Sequence, residues 1–238
     1  MSPRHYLIVD DNPAFAENLA EILRDLGSEV AVASSGAQAL ELMGAQRFSA
    51  MMTDMRMPVM NGAALVQEAR KVDPGLPVVA ITAYIQDTDL ESARRHGLLA
   101  VLPKPVPIRP LMQLLDVARR DGLVTLVEDD VGLSDNLTEA LRMKGFTTVT
   151  ANTVLDAEKL GPWRPFAAIV DWRVEGGPDG EAMRQLAARF PGLPMLLISA
   201  YDVHPPPVPH HGLFPKPFNT ALLLETIERL HAAGAVRS

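Results

Sequence analysis

Short apolar runs alternate along this chain with stretches in which apolar residues recur every three or four positions. The longest early stretch, Pro13–Leu26, carries Phe15, Leu19, Ile22 and Leu23 at the spacing of one face of a helix. The strands predicted for the first half are Tyr6–Val9, Glu29–Ala33, Ala50–Thr53, Val78–Thr82 and Ala100–Leu102. Strands that alternate with amphipathic helices are typical of an α/β fold with a parallel sheet.

The whole pattern occurs twice. Leu7–Asp11 returns as Thr125–Asp129, and Pro103–Pro105 returns as Pro215–Pro217, in the same order along the chain. A repeat of this length is one supersecondary plan used twice. We therefore expect two domains, residues 1–120 and 122–238, each built around five strands.

Composition narrows the class of protein. Of 238 residues 47% are hydrophobic and 21% are charged, as in globular proteins, and there are no cysteines to form disulfides or thiolate metal sites. No apolar run approaches the ~18 residues of a membrane span, and acidic residues come too early for a signal peptide, so we expect a cytoplasmic protein.

The charge argues against direct binding to nucleic acid. The net charge is −7, and neither half is basic. The basic doublets are Arg70–Lys71, Arg94–Arg95 and Arg119–Arg120, which we interpret as solvated helix faces. A phosphate-binding surface usually needs a larger cluster of lysine and arginine.

Polar residues stand where the predicted strands of the first half end. Asp10 and Asp11 follow the first strand, Asp54 the third and Thr82 the fourth, and Lys104 follows the fifth. In open parallel sheets ligands bind at this carboxyl edge, so these side chains should converge. Three adjacent carboxylates repel one another unless a divalent cation lies among them, and Mg2+ prefers such oxygen ligands.

These residue types match the needs of phosphoryl transfer to a carboxylate. Asp54 is the predicted nucleophile and phosphoacceptor. Thr82 would donate a hydrogen bond to the phosphoryl group, and Lys104 would pair with it. The predicted Mg2+ ligands are Asp10, Asp11, Asp54 and the backbone carbonyl of Arg56.

These motifs resemble those of a known family. Val9–Asp11, Asp54–Pro58 with Asn61–Gly62, Thr82–Ala83 and Pro103–Pro105 are similar to the receiver domains of two-component response regulators, over nearly all of residues 1–120. The resemblance implies a flavodoxin-like, doubly wound (βα)5 sheet. It also implies phosphotransfer from a sensor histidine kinase or a histidine phosphotransfer protein, and a conformational change around the fourth helix, fifth strand and fifth helix.

One position departs from the family pattern. An aromatic switch residue often stands three positions before the lysine, where this chain has Val101. The usual coupling of the threonine to a rotating ring is therefore in doubt. Tyr84 either contributes to the switch or is a surface aromatic.

The second half resembles the same family with altered surroundings. It keeps Glu128 and Asp129, Asp171, Ser199 and Lys216. Asp171 is a possible second phosphoacceptor, aided by Ser199 and Lys216. The corresponding Mg2+ ligands are Glu128, Asp129, Asp171 and the backbone carbonyl of Arg173.

Two segments of the second half differ most. Glu175 stands where the first half has Pro58; it either lies near the metal and repels a phosphoryl group, or points to solvent. Between Ser199 and Lys216 the chain is shorter, and residues 202–211 carry four prolines, so we expect no regular fourth helix. His204, His210 and His211 in this segment are loop residues or, less readily, metal ligands.

The predicted function is a response regulator without its own output domain, unless the sequence is a fragment. It would signal through contacts with a downstream protein effector, and a homodimer through the first domain is plausible. One alternative is a pseudo-receiver scaffold, particularly for the second domain. Another is an aspartyl-phosphate phosphatase of the haloacid dehalogenase type, but that family places Asp-x-Asp after the first strand.

Overall fold

The computed structural model describes residues 4–83, 90, 93–94, 96–161, 164–201 and 208–235. The chain divides into two compact units, Met1–Asp121 and Gly122–Ser238. Each unit holds one five-stranded parallel sheet.

The first unit alternates strands with helices. Its strands are β1 (His5–Val9), β2 (Glu29–Ala33), β3 (Ala50–Asp54), β4 (Val78–Thr82) and β5 (Ala100–Pro103). Its described helices are α1 (Pro13–Asp25), α2 (Gly36–Ala45), α3 (Gly62–Val72) and α4 (Ile108–Val117). The strand order is β2-β1-β3-β4-β5, which reverses at β1 and β3.

Both faces of this sheet are covered, which explains the nearly continuous apolar strands. Tyr6 and Ile8 of β1 point into one core with Leu19 and Leu23 of α1. Leu7 and Val9 alternate to the other face, where Leu65 of α3 and other residues pack against them. Parallel sheets with helices on both sides bury nearly all positions of their central strands in this way.

The second unit repeats the plan. Its strands are β6 (Leu123–Val127), β7 (Thr147–Ala151), β8 (Ala167–Asp171), β9 (Met195–Ser199) and β10 (Gly212–Pro215). Its described helices are α5 (Val131–Met143), α6 (Val154–Glu158), α7 (Glu181–Arg189) and α8 (Thr220–Ala235). The strands lie in the order β7-β6-β8-β9-β10.

The predicted fold class is confirmed: the chain forms two flavodoxin-like α/β units in tandem. Between β9 and β10, residues 200–201 and 208–211 are described and form no helix. Residues 202–207 of the proline-rich segment, with His204, and residues 84–89, with Tyr84, lie outside the described residues. Among the helices that the described residues form, none has the length and hydrophobicity needed to cross a bilayer.

Candidate functional site

The carboxyl edge of the first sheet gathers the predicted site residues. Asp10 directly follows β1, Asp54 and Thr82 end β3 and β4, and Lys104 directly follows β5. The strands are parallel and in close register, so that Asp54 lies opposite Ile81. The backbone N–H of Lys104 donates to the carbonyl of Thr82 at 3.0 Å, which holds the lysine at the same edge.

The ammonium of Lys104 bridges two carboxylates. Its Nζ lies 2.6 Å from Oδ2 of Asp10 and 2.6 Å from Oδ2 of Asp54. The Asp10 side chain is 1% exposed and that of Asp54 is 12% exposed. A cation between two carboxylates that are largely shielded from water offsets the electrostatic repulsion between them, which would otherwise destabilise the site.

Backbone amides fix the two carboxylates from the other side. Asn12 N–H donates to Oδ1 of Asp10 at 2.9 Å, and Arg56 N–H donates to Oδ1 of Asp54 at 3.2 Å. Asp10, Asp11 and Asp54 each offer an oxygen within 4.8 Å of the others, and Asp11 is exposed. The group is therefore open on one side and has the oxygen donors that a small divalent cation requires.

Burial and charge compete in setting the protonation of these groups. Burial raises the pKa of Asp10 above its ordinary value, although the hydrogen bond from Lys104 opposes the rise. Burial alone would lower the pKa of Lys104, but its hydrogen bonds to Asp10 and Asp54 outweigh that effect and raise it. Lys104 is therefore a fixed cation at neutral pH.

An aromatic ring covers the lysine. Lys104 Nζ lies 4.4 Å from the ring centroid of Phe15, in the first turn of α1. The negative face of a ring attracts a cation at this distance. Sequence reasoning assigned Phe15 only to the apolar face of a helix.

The second unit reproduces the arrangement with different residues. Lys216 Nζ lies 2.8 Å from Oε2 of Glu128 and 2.5 Å from Oδ2 of Asp171. Arg173 N–H donates to Oδ1 of Asp171 at 3.0 Å. Glu128, Asp129 and Asp171 form an acidic group with oxygens within 4.8 Å of one another, and burial raises the pKa of Glu128.

Local contacts distinguish the second site. The Ser199 hydroxyl donates to the carbonyl of Tyr201 at 2.9 Å and accepts from its N–H at 3.0 Å. The guanidinium of Arg173 stacks 3.7 Å from the centroid of the Tyr201 ring and pairs with Asp179 at 2.9 Å. Glu175 is exposed, as the solvent-facing alternative predicts.

The structure thus brings together most residues predicted for each site. The first group holds Asp10, Asp11, Asp54 and Lys104, and the second holds Glu128, Asp129, Asp171 and Lys216. In the first unit Thr82 is buried at the end of β4, which neighbours β3, and in the second unit Ser199 is buried at the end of β9, which neighbours β8. The roles of these residues, and of the Arg56 and Arg173 carbonyls, remain predictions.

Three contacts at the sites were missed. Asn12 caps α1 and binds Asp10 through its N–H; an asparagine after two acids is a typical helix-start signal that would have found it. The contact of Phe15 with Lys104 and the contact of Arg173 with Tyr201 join distant parts of the sequence, and no local signal marks them.

The known proteins whose sequences are similar to this chain belong to the same family that the site residues resemble. Residues 6–116 match the family model described as "Response regulator receiver domain". A response regulator receiver protein of Anaeromyxobacter sp. (strain Fw109-5) is 59% identical over 229 residues, 96% of this chain and 95% of that protein. The transcriptional regulatory protein GlrR of Escherichia coli (strain K12) is 36% identical over 49% of this chain, which covers 26% of GlrR.

Solved receiver domains are also similar to part of the chain. One is a CheY-like response regulator receiver domain protein from Methanospirillum hungatei, with 29% identity over 48% of this chain and 92% of that one, at a TM-score of 0.47. Another is the receiver domain of a sensor histidine kinase from Pseudomonas aeruginosa PAO1, crystallised with a magnesium ion coordinated in its active-site cleft. It is 30% identical over 48% of this chain and 96% of that one, at a TM-score of 0.45.

Proposed function

Because the chain belongs to the response regulator receiver family, whose domains are phosphoacceptor modules of two-component signalling, we propose that Asp54 is its phosphoacceptor. The donor is a phosphohistidine on a sensor histidine kinase or a histidine phosphotransfer protein. The proposal divides the chain into receiver domains at residues 1–120 and 122–238.

The observation that carries this proposal is the position of Lys104 between Asp10 and Asp54. Its Nζ is 2.6 Å from one oxygen of Asp54, so it lies where an oxygen of a phosphoryl group on that carboxylate would need a counter-charge. A cation that already lies beside the acceptor carboxylate reduces the reorganisation required during transfer, which is how electrostatic stabilisation lowers a barrier.

The transfer is a substitution at phosphorus. A carboxylate oxygen of Asp54 forms a bond to phosphorus while the bond from phosphorus to the donor nitrogen breaks. The nitrogen keeps the electron pair, and the donor imidazole takes up a proton as it leaves. Thr82 donates a hydrogen bond to an oxygen of the new phosphoryl group, and Lys104 forms an ion pair with that group.

The acidic group fits a Mg2+ ion. Asp10, Asp11 and Asp54 would hold it, with the backbone carbonyl of Arg56 as a further ligand. When bound, the ion supplies positive charge that neutralises the carboxylates and the phosphoryl oxygens. Asn12 and Arg56 keep the oxygen ligands oriented through their N–H groups.

Asp171 is proposed as a second phosphoacceptor. Lys216 contacts Glu128 and Asp171 much as Lys104 contacts Asp10 and Asp54. Glu128, Asp129 and the Arg173 carbonyl would serve as metal ligands there. The alternative, in which the second unit is a pseudo-receiver used only for association, keeps the same fold without phosphorylation.

The output is proposed to pass through contacts with a downstream protein in the cytoplasm, without direct binding to nucleic acid. A homodimer through the first unit is one route for such contacts. The changed segment between β9 and β10 favours a different partner surface in the second unit.

Labelling with a small-molecule donor tests the proposal. Wild-type protein incubated with acetyl phosphate and Mg2+ should gain phosphate by intact mass, and EDTA should prevent the gain. Asp54→Asn should lose the label on the first unit, and Asp171→Asn that on the second. Sustained hydrolysis of a phosphomonoester would instead favour the phosphatase alternative, and unlabelled protein would favour the scaffold.

A further inference from the structure

The two sites share the same pattern of hydrogen bonds from backbone N–H groups and differ in the side chain beside the lysine. In the first unit, Asn12 N–H donates to Asp10 at 2.9 Å, and the Asn12 side chain accepts from Phe15 N–H at 3.1 Å. In the second, Asp130 N–H donates to Glu128 at 3.1 Å, and the Asp130 side chain accepts from Leu133 N–H at 3.0 Å.

These hydrogen bonds place the first turn of each helix against the acidic site of its own unit. Phe15 and Leu133 hold equivalent positions, because the N–H of each donates to the side chain that caps its helix. Both residues are half-buried against the sheet core of their own unit. Leucine therefore fits this position of the fold. The aromatic ring in the first unit is not required by packing alone.

The ring contacts the lysine that bridges Asp10 and Asp54 in the proposed phosphoacceptor site. Lys104 Nζ is 4.4 Å from the Phe15 centroid and also bonds to Asp10 and Asp54. A divalent cation on those two carboxylates would compete with Lys104 for both. The ring carries no full charge and binds no metal, so it would remain a partner for the ammonium after that exchange.

We propose that Phe15 is a positioning residue for Lys104: its ring holds the ammonium at the rim of the site when metal and phosphoryl group take over Asp10 and Asp54. Leu133 gives Lys216 no such aromatic face, so the two sites differ in how their lysine is held. This inference rests on the proposed function, because it assigns Phe15 a part in labelling at Asp54.

The contact predicts a rate effect of limited size. A cation over a ring contributes about 0.5–2 kcal/mol, which corresponds to a factor of about 2–30 in rate if it is lost in the transition state. Phe15→Leu should therefore slow labelling at Asp54 by about 2- to 30-fold. Phe15→Tyr retains a ring face and should restore the rate to within about twofold of the parent.

The experiment uses the full chain carrying Asp171→Asn, so that labelling reports Asp54. Initial rates with acetyl phosphate at saturating Mg2+ are compared for the parent, Phe15→Leu, Phe15→Met and Phe15→Tyr, each checked for folding by circular dichroism. Phe48→Leu is the matched control, because Phe48 is buried and packs against His5 in the same unit.

Slow labelling in Phe15→Leu and Phe15→Met, with near-parental rates in Phe15→Tyr and Phe48→Leu, would support the proposal. Phe15→Met decides the question if the leucine variant does not fold. Parental rates in the non-aromatic variants would overturn it, as would a tyrosine variant as slow as the leucine one or an equal slowing in Phe48→Leu. A parent that is not labelled at all would overturn the proposed function itself, a distinct result.

Discussion

Lys104 Nζ lies 2.6 Å from Oδ2 of Asp54, the carboxylate proposed to accept phosphate. The same ammonium contacts Asp10. Before phosphorylation it therefore binds the two carboxylates that a divalent cation would also bind. The lysine should therefore have two opposite effects, competing with the metal in the resting site and stabilising the phosphoryl group during transfer.

Lys104→Gln should separate these effects. Without the competing charge, Mg2+ affinity measured by calorimetry in the Asp171→Asn background should rise by about three- to tenfold, an attenuated Coulomb effect for a partly exposed group. Labelling by acetyl phosphate should fall by at least about tenfold, because a positioned cation is lost from the transition state. Lys71→Gln, which removes an exposed lysine paired with Glu68, should change neither; weaker Mg2+ binding in Lys104→Gln would contradict the competition.

Asp10 should reduce stability at neutral pH. Burial raises its pKa, so the folded chain binds a proton there more readily than the unfolded chain does. The stability contributed by Asp10 is then greatest below the ordinary aspartate pKa of about 3.9 and decreases as the pH rises through the raised value. Asp10→Asn should therefore stabilise the first unit at pH 7 by about 0.5–2 kcal/mol, as relief of a functional site often does.

Denaturant unfolding in EDTA at pH 7 and at pH 4 checks this prediction. The advantage of Asp10→Asn should shrink at the lower pH, while its labelling at pH 7 should be lost. Equal or lower stability of the variant at pH 7 would show that the pair with Lys104 outweighs the cost of burial.

Arg70 is expected to stabilise the first unit through its contacts with carbonyl groups. The interpretation of the Arg70–Lys71 doublet as a solvated helix face is wrong for Arg70, which is 1% exposed, because its guanidinium donates to the carbonyls of Pro74, Leu76, His96 and Gly97. Burial lowers its pKa to about 10, so it remains charged at neutral pH.

Arg70→Met should cost about 3–5 kcal/mol, because the buried carbonyls lose a charged donor. Lys71→Met, at the exposed neighbouring position, should cost less than about 0.5 kcal/mol. The free energy of unfolding from denaturant titration checks both values, and a small loss for Arg70→Met would mean that water replaces the guanidinium.

Val59 and Gly176 occupy equivalent left-handed turns after Asp54 and Asp171. Val59 has a φ of 68° and is fully exposed, whereas Gly176 has a φ of 96°. A β-branched residue is strained at positive φ, and an exposed one gains nothing from burial. Val59→Gly should therefore stabilise the first unit by about 1 kcal/mol, even after the entropy that glycine adds to the unfolded chain.

The reciprocal substitution, Gly176→Val, should lower the stability of the second unit. A Cβ at Gly176 would meet only ordinary contacts, the nearest being Val154 N at 3.8 Å, so Gly176→Val should suffer from backbone strain of about 1–3 kcal/mol rather than from a clash. Calorimetric midpoints of both variants against wild type test the pair. A less stable Val59→Gly would show that the turn tolerates valine without strain.

The sequence predicted the fold and most of the site because both follow local rules. In the first unit, apolar runs marked the strands to within about one residue, since a strand covered on both faces is largely apolar. Asp54 and Lys104 could be placed at one edge because parallel strands bring their carboxyl ends together.

The remaining features depend on contacts between distant residues. The ring of Phe15 meets Lys104 only after α1 and β5 have packed on the same sheet, and the pattern of α1 would be equally satisfied by leucine, as Leu133 shows. The left-handed turn at Val59 was likewise hidden, because valine gives no sign of positive φ. The exposure of Glu175 depended on how its loop folds.

Chemical trapping of the acyl phosphate identifies the phosphorylated residue itself. Borohydride reduces the acyl phosphate of an aspartate to homoserine, and peptide sequencing by mass spectrometry then locates it. Wild-type protein treated with acetyl phosphate and Mg2+ should show homoserine at position 54, and omission of either reagent should abolish it. Unmodified Asp54 alongside homoserine at position 10 or 11, or no homoserine in the first unit, would contradict the assignment of Asp54 as the phosphoacceptor.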